Sequence, residues 1–453
     1  MPFIPMPLNE LRIGLYIKLE CSWWNHPFAK SKFKITSAKE IKTLKAIPKV
    51  KIFYDPDLSD PEEGSEVKDG PDSPESVPRE VVQAAEEQKQ EEIRIGQIQA
   101  CQDHGAELQK AAYLYQQVVA QTKIALKRIS DGHAAGIKSA DQVVSTLIHS
   151  LSKPETSMAM IDILTSTQAE DPFLAHSLNV CIVSLLVGKE YDLNDDELYA
   201  LALAALLHDI GKQNFPVMLR MKRSGLTKAE QQDWLRQSEL GKAAVERFPS
   251  IPASTVQAIY QHHERLDGSG FPLGLKGDDI SFFAKIIMAA DEYDHLCHQP
   301  DPSKNFTPAE ALSYLYDHYI VEKLMAVSDS IETMLNEEAA SVGTAQDGGE
   351  DDNSISSKAE LSEEVVVYMV RALGVYPPGS LVELTNGSVG LVTGVNSEER
   401  TKPCVMICSP QTPRKEARVV DLTNEGELAI VHSLRPQHVP KEVFEYIYSG
   451  RST

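Results

Sequence analysis

Leu206-Leu207-His208-Asp209-Ile210-Gly211-Lys212 closes one of the most apolar runs in the chain, Leu198 to Leu207. Histidine and aspartate next to apolar packing are costly unless they are paired, hydrogen-bonded or bound to metal. The dipeptide therefore calls for partners elsewhere in the chain. Gly211 is expected to stop the helical pattern. Taken alone, the pair fits a helix C-cap equally well.

Further polar groups stand at the ends of other apolar helical patterns. His176 heads a run containing Leu178, Val180, Ile182, Val183, Leu185 and Leu186. His262-His263-Glu264 ends the helical run Thr255 to Gln261 and leads into Asp267-Gly268-Ser269-Gly270-Phe271-Pro272. Asp291 follows the apolar stretch Ile286 to Ala290, and Lys212 lies one helical turn beyond His208. Each has an ordinary reading: a satisfied core histidine, a solvated helix end, a turn. Together they give four histidines and two carboxylates without cysteine, a donor set suited to manganese, iron or zinc in oxygen chemistry. A carboxylate such as Asp209 can bridge two metals, and a metal-bound water becomes a nucleophile near neutral pH. Lys212 is placed to neutralise a phosphate oxygen as charge develops.

Composition sets the bounds. At 453 residues the chain has room for two to four domains. A formal net charge of -22 argues against a nucleic-acid polymer as partner. The six cysteines are scattered with no CxxC pair, which fits free thiols in a reducing compartment. No signal-peptide pattern opens the sequence, and no apolar run is long enough for a membrane helix. The expectation is a soluble cytoplasmic protein without a membrane partner.

The chain divides into five stretches. Residues 1–54 read as a small α+β module, with strands at Leu11 to Ile17 and Val50 to Tyr54, and a helix from Ser37 to Leu44 capped by Ser37. Trp23, Trp24 and Phe28 in this module suit core filling better than a binding face. Residues 55–95 are an acidic linker followed by a polar helix, and 96–154 a helical connector. The connector is expected to pack on its own chain, with a homodimer as the other arrangement. Residues 155–375 hold the apolar helices and the histidines, with a low-complexity insertion at 339–357 expected to be disordered. A last helix, Leu361 to Leu373, ends at Gly374. Residues 376–453 read as a small β-rich module, with a hairpin turning at Asn386-Gly387.

The central stretch resembles the HD-GYP family, a branch of the HD phosphohydrolases whose members hydrolyse cyclic di-GMP. The resemblance rests on His176-Ser177-Leu178-Asn179-Val180, His208-Asp209-Ile210-Gly211-Lys212, His262-His263-Glu264-Arg265, Asp267 to Pro272, and Asp291-Glu292-Tyr293-Asp294. Leu11 to Tyr16 and His26-Pro27-Phe28 look like the uncharacterised N-terminal domain often fused to such proteins, and Tyr376 to Ser380 is similar to the tail of that subgroup. The fold implied is mainly α: an all-helical HD-domain bundle between the small α+β module and the small β-rich one. The resemblance implies two divalent metal ions, iron or manganese, with zinc as a further fit. His176, His208, Asp209 and Asp291 would hold the first; Asp209 would bridge to a second, also bound by His262 and His263. A metal-bound hydroxide would attack, and Lys212 would contact the scissile phosphate. Gly270, Phe271 and Pro272 correspond to the loop linked in the family to GGDEF-domain proteins, with Phe271 where tyrosine is usual.

Two departures set limits on this expectation. The family usually has His-Pro between the His-Asp motif and the paired histidines; Gln237 and Ser238 occupy those positions, so the second metal loses a ligand. The family also continues after Asp291 with a basic segment that grips the dinucleotide phosphates. Here Pro300 and Ser303 replace basic residues, and Lys304 remains, with Arg265 or Lys285 available to compensate. Each lost charge-assisted phosphate contact costs about 1.5–3 kcal/mol. The expected activity is a metal-dependent cyclic di-GMP phosphodiesterase. The alternatives are a degenerate module that binds nucleotide or partner proteins with little hydrolysis, and a phosphohydrolase of another substrate.

Overall fold

The computed structural model describes residues 4–6, 11–20, 32–35, 41, 44, 51–56, 58–59, 79–166, 170–220, 225–317, 360–396, 399–425 and 428–448. Trp23, Trp24, Phe28, Ser37, the acidic segment beyond residue 60 and the 339–357 insertion lie outside them. The chain forms two compact units, residues 1–91 with 397–399, and residues 92–396 with 400–453.

In the first unit four short antiparallel strands, β1 (Ile4–Met6), β2 (Tyr16–Glu20), β3 (Lys32–Lys34) and β4 (Lys51–Asp55), pair in the order β1-β4-β2-β3. Strand β2 begins later than the strand expected from Leu11. The chain first turns at Ile13-Gly14, where Gly14 takes φ +90°, a conformation glycine adopts without steric cost. Leu11, Leu15, Ile17, Ile35, Leu44 and Ile52 form its apolar core.

Helix α1 (Arg79–Ser130) is continuous for 52 residues, and the join expected at 95/96 falls inside it. From Leu108 onward Ala111, Tyr115, Val118, Ala125 and Ile129 are buried at helical spacing. The helix ends before Gly132, at φ +84°, and α2 (Ala135–Ser150) and α3 (Pro154–Ser166) follow.

The centre of the second unit is α4 (Pro172–Glu190) against α5 (Asp195–Leu207). Asp171 caps α4 by accepting from the N–H groups of Phe173 and Leu174, with Pro172 preset for the first turn. Asn194 and Glu197 close a capping box on α5. Almost every α4 side chain from Phe173 to Val187 is buried, as expected for a helix apolar all round. Gly188 lets the two helices approach, since a Cβ there would meet Leu201 Cδ2 at 2.8 Å. Against the expectation that no apolar run is long enough, α4 alone of the described helices is long and apolar enough to cross a membrane, and its residues are buried in this packing.

Around this pair stand α6 (Lys228–Leu235), α7 (Gln237–Glu246), α8 (Ala253–Gln261), α9 (Phe282–Cys297), α10 (Pro308–Tyr316) and α11 (Glu363–Leu373). Ser362 caps α11, which ends at Gly374 with φ +84°. A five-stranded antiparallel sheet follows: β5 (Leu381–Leu384), β6 (Val389–Gly394), β7 (Cys404–Ile407), β8 (Val419–Asp421) and β9 (Ile430–Leu434), in the order β8-β7-β6-β5-β9. The β5–β6 hairpin turns at Asn386-Gly387, where Gly387 has φ +76°. A closing helix, α12 (Lys441–Tyr448), absent from the sequence reading, buries Ile447 in the core shared with Leu381, Leu391 and Met406. The described fold is mainly helical, with the two small sheets at either end of the chain.

Candidate metal centre

Helix α5 stops at His208, not at Gly211 as expected. Asp209 leads directly into a 3-10 turn, Ile210–Asn214, that carries Lys212. Gly211 serves a close approach: a Cβ there would lie 2.0 Å from the Gln237 carbonyl oxygen and 2.7 Å from the Gly241 nitrogen. This contact seats the start of α7 on the His-Asp turn.

Three imidazoles are tied off in the same way. His208 Nδ1 donates to the Ala205 carbonyl at 2.7 Å, His262 Nδ1 to the Ile259 carbonyl at 2.7 Å, and His176 Nδ1 to Asp294 Oδ2 at 2.7 Å. Each bond fixes the tautomer and leaves Nε2 to face the neighbouring groups. His208 Nε2 and His176 Nε2 are 3.3 Å apart. His176 Nε2 lies 3.1 Å from Asp291 Oδ1 and 3.8 Å from Asp209 Oδ2, and His208 Nε2 lies 3.6 Å from Asp209 Oδ2. His176, His208, Asp209 and Asp291 are all buried and converge on one point.

A second group shares Asp209. Its Oδ1 is 3.7 Å from His262 Nε2, and ligand atoms of Asp209, His262 and His263 all lie within 4.8 Å of one another. Asp209 Oδ1, His262 Nε2 and His263 Nε2 are buried without a hydrogen-bond partner. An unmade hydrogen bond costs about 1–3 kcal/mol per buried group. Three such atoms together fit a cation that would satisfy them all. The donor set, imidazole nitrogens and carboxylate oxygens with no thiolate, suits a divalent transition metal.

Electrostatics agree with this arrangement. Burial, only partly opposed by Asp209, holds His208 down to about 3, so its imidazole is neutral. Burial and the neighbouring His262 and Lys212 likewise keep His263 neutral. Burial would raise Asp209, but its neighbours, Lys212 above all, outweigh it and hold the carboxyl well below its usual range. Lys212 Nζ is 2.7 Å from Asp209 Oδ2 and 5.8 Å from the centre of the Trp234 ring. Burial also disfavours charge on His176, yet hydrogen bonds to Asp291 and Asp294 push it up to about 9 when no metal is present.

The loop after His263 is built from below. Glu264 is fully buried, and its two oxygens accept from the N–H groups of Leu273 at 2.7 Å and Leu275 at 2.9 Å. Phe271 N–H donates to the His263 carbonyl at 3.0 Å. Gly270 is held where a Cβ would lie 2.3 Å from the Arg265 nitrogen. The Phe271 ring therefore stacks on His263 with centroids 4.7 Å apart, and Trp234 lies 5.2 Å from both rings.

The remaining sequence candidates sit differently. Gln237 is buried, and both atoms of its amide lack a partner. Arg265 donates to the Glu264 carbonyl and lies 3.9 Å from Glu360. Lys304 is exposed, 3.9 Å from Asp301, whose carboxylate accepts from Ser303; Pro302–Lys304 form a 3-10 turn just after Pro300. Lys285 pairs with Asp278 at 3.0 Å. Sequence reasoning missed the supporting residues Tyr115 and Trp234, and gave no role to Asn179, Glu264 and Asp294, which stand in the motifs it quoted. It also missed His295, whose ring centroid is 4.3 Å from that of His176 and which groups with His176 and Asp291. The signal for His295 was its place one helical turn beyond Asp291 on α9.

Comparison with known proteins bears on the same region. A cyclic di-GMP phosphodiesterase of Pseudomonas aeruginosa is 25% identical over 439 residues, covering 95% of this chain and 92% of its own. The cyclic di-GMP phosphodiesterase response regulator of Xanthomonas campestris pv. campestris is 34% identical over 138 residues, 30% of this chain and 36% of its own. The 3'3'-cGAMP-specific phosphodiesterase 3 of Vibrio cholerae is 36% identical over 132 residues, 28% of each chain. The HD domain family matches residues 159–319, spanning every residue of the candidate metal centre, and a domain of unknown function, DUF3391, matches residues 4–140. Residues 159–319 are thus similar to an HD domain, and the DUF3391 match precedes the helices that carry the His-Asp cluster.

Proposed function

We propose that this protein is a metal-dependent phosphodiesterase of the HD-GYP type that hydrolyses cyclic di-GMP. The observation that carries the reading is the convergence of His176, His208, Asp209 and Asp291, with Asp209 shared by His262 and His263. Relatives named for cyclic di-GMP hydrolysis, one of them matched along most of its length, support the substrate. We assign two divalent ions, one that His176, His208, Asp209 and Asp291 would hold and one that Asp209, His262 and His263 would hold; when bound, they would polarise a phosphate oxygen and make water nucleophilic at neutral pH.

The chain's own groups do the rest. The three Nδ1–H groups stay hydrogen-bonded to the Ala205 and Ile259 carbonyls and to Asp294, so the Nε2 lone pairs remain available. Lys212, buried against Asp209, supplies the positive charge that would neutralise a phosphate oxygen. Trp234 and Phe271 pack on His263, and both His262 and His263 are buried. Gly270, Phe271 and Pro272 are our candidate contact for GGDEF-domain proteins. Arg265 and Lys304 would reach phosphate only by leaving Glu360 and Asp301, so they are the weaker assignments.

The test is hydrolysis by full-length protein reconstituted anaerobically with Fe(II) or Mn(II), with bound metal quantified. Cyclic di-GMP and cyclic GMP-AMP are assayed side by side. Turnover of cyclic di-GMP that disappears in Asp209→Ala, together with metal loss, is expected. Full metal loading without turnover of either dinucleotide would overturn the proposal.

One observation favours a second reading, a nucleotide- or partner-binding module with little hydrolysis. Gln237 stands where the resemblance expects a histidine, and its amide is unpartnered. Gln237→His is expected to raise both metal content and turnover under the first reading. An unchanged metal count in that variant would remove the argument from the missing ligand.

A further inference from the structure

A buried chain of hydrogen bonds connects the metal centre to the long helix α1. Tyr115 on α1 donates from its hydroxyl to Asn179 Oδ1 at 3.0 Å. Asn179 Nδ2 donates to Asp294 Oδ1 at 2.8 Å, and His176 Nδ1 donates to Asp294 Oδ2 at 2.7 Å. Tyr115, Asn179, Asp294 and His176 are 5%, 4%, 3% and 3% exposed, so water does not replace any link. His298 completes the shell, with Nδ1 2.9 Å from Asp294 Oδ1 and Nε2 3.0 Å from the Leu164 carbonyl.

Each link constrains the next. An asparagine amide can sit in either of two orientations, and its neighbours choose between them. The Tyr115 O–H requires an acceptor, which turns Oδ1 toward α1 and leaves the Nδ2 donor for Asp294. Reversed, Asn179 would set its oxygen against a buried, ionised carboxylate. With the donor in place, Asp294 keeps the position from which it holds the Nδ1 proton of His176 and aims Nε2 at the cluster.

We propose that Tyr115 is a positioning residue for metal binding at His176, acting through Asn179 and Asp294. The proposal rests on the reading of His176 as a metal ligand, made above. Partners of this kind behind a metal-bound histidine are worth roughly 10- to 100-fold in metal affinity.

The experiment is a calorimetric Mn(II) titration of metal-free, full-length protein, alongside thermal melting of each metal-free variant. Tyr115→Phe removes one oxygen and keeps the ring. Asn179→Asp is isosteric and replaces the donor facing Asp294 with an acceptor. The expected result is about tenfold weaker binding in Tyr115→Phe and a larger loss in Asn179→Asp. That order should persist after the binding constants are corrected for any shift in metal-free melting. His176→Ala is the control. If it binds Mn(II) like the wild type, the ligand assignment fails. If it loses binding while Tyr115→Phe and Asn179→Asp keep wild-type affinity, the ligand assignment stands and this inference alone falls. Variants that melt earlier yet bind unchanged would give Tyr115 a structural role only, which also overturns it.

Discussion

At the residue scale the metal-free centre is electrostatically divided, and its stability should show both halves. His176 is pushed up to about 9 by Asp291 and Asp294 against the effect of burial, while an unfolded histidine titrates near about 6.5. The folded chain therefore binds more protons than the unfolded one between those values. That stabilisation is complete below pH of about 6.5 and is lost as pH rises through about 9. His208 and His263 act in the opposite sense, because burial lowers both. Their contribution is present above about 6.5 and is lost as pH falls, since the unfolded chain then takes up the protons. The melting temperature of metal-free protein should thus decline on both sides of neutrality. His176→Gln should flatten the alkaline limb and leave the acid limb in place. A variant whose alkaline limb matches the wild type would mean that His176 does not carry that charge.

At the element scale the centre depends on how closely α7 seats on the turn after α5. Gly211 has no room for a Cβ, because its neighbours there are backbone atoms of Gln237 and Gly241 that cannot rotate away. Gly211→Ala should destabilise the fold by about 3 kcal/mol, at the upper end of overpacking costs, as read from urea unfolding with an unchanged slope. A loss below about 0.5 kcal/mol, the range of ordinary surface substitutions, would mean that the turn adjusts freely. This contact also marks the limit of what the sequence makes legible. His176, His208, His262 and Asp291 stand out because each ends or opens an apolar helical run, where a polar group needs a reason. Gly211 reads in sequence as a helix stop, since a glycine gives no sign of whether it serves a turn or a close approach. Tyr115 and Asn179 look like ordinary members of their helices. Their partnership depends on α1, α4 and α9 meeting in space, across 64 residues for one bond and 115 for the next. The later start of β2 has a local cause instead: a turn at Gly14 precedes the alternating pattern.

At the scale of the whole molecule, chemistry and charge oppose each other. The proposed substrate is an anion and the chain carries a formal net charge of -22, so the long-range field would oppose its approach. Among the described residues, three cationic groups that could offset this locally each have an acidic neighbour. Lys212 pairs with Asp209, Arg265 lies near Glu360, and Lys285 pairs with Asp278. Contacts within the buried centre are screened little by salt, whereas repulsion between the dinucleotide and distant surface carboxylates is screened strongly, with a Debye length of about 10 Å at 0.1 M ionic strength. Raising ionic strength from about 10 mM to about 150 mM should therefore increase kcat/KM for cyclic di-GMP, by roughly two- to threefold, through faster encounter. The turnover number at saturating substrate should stay the same, because the reacting groups are buried. Steady-state kinetics in a salt series with a non-coordinating anion measures both quantities. A kcat/KM that falls with salt would mean that the field at the mouth of the site is positive despite the net charge. The bound metal or a rearranged Arg265 and Lys304 would then be steering the substrate, and the assignment of those two residues to phosphate would gain the support it now lacks.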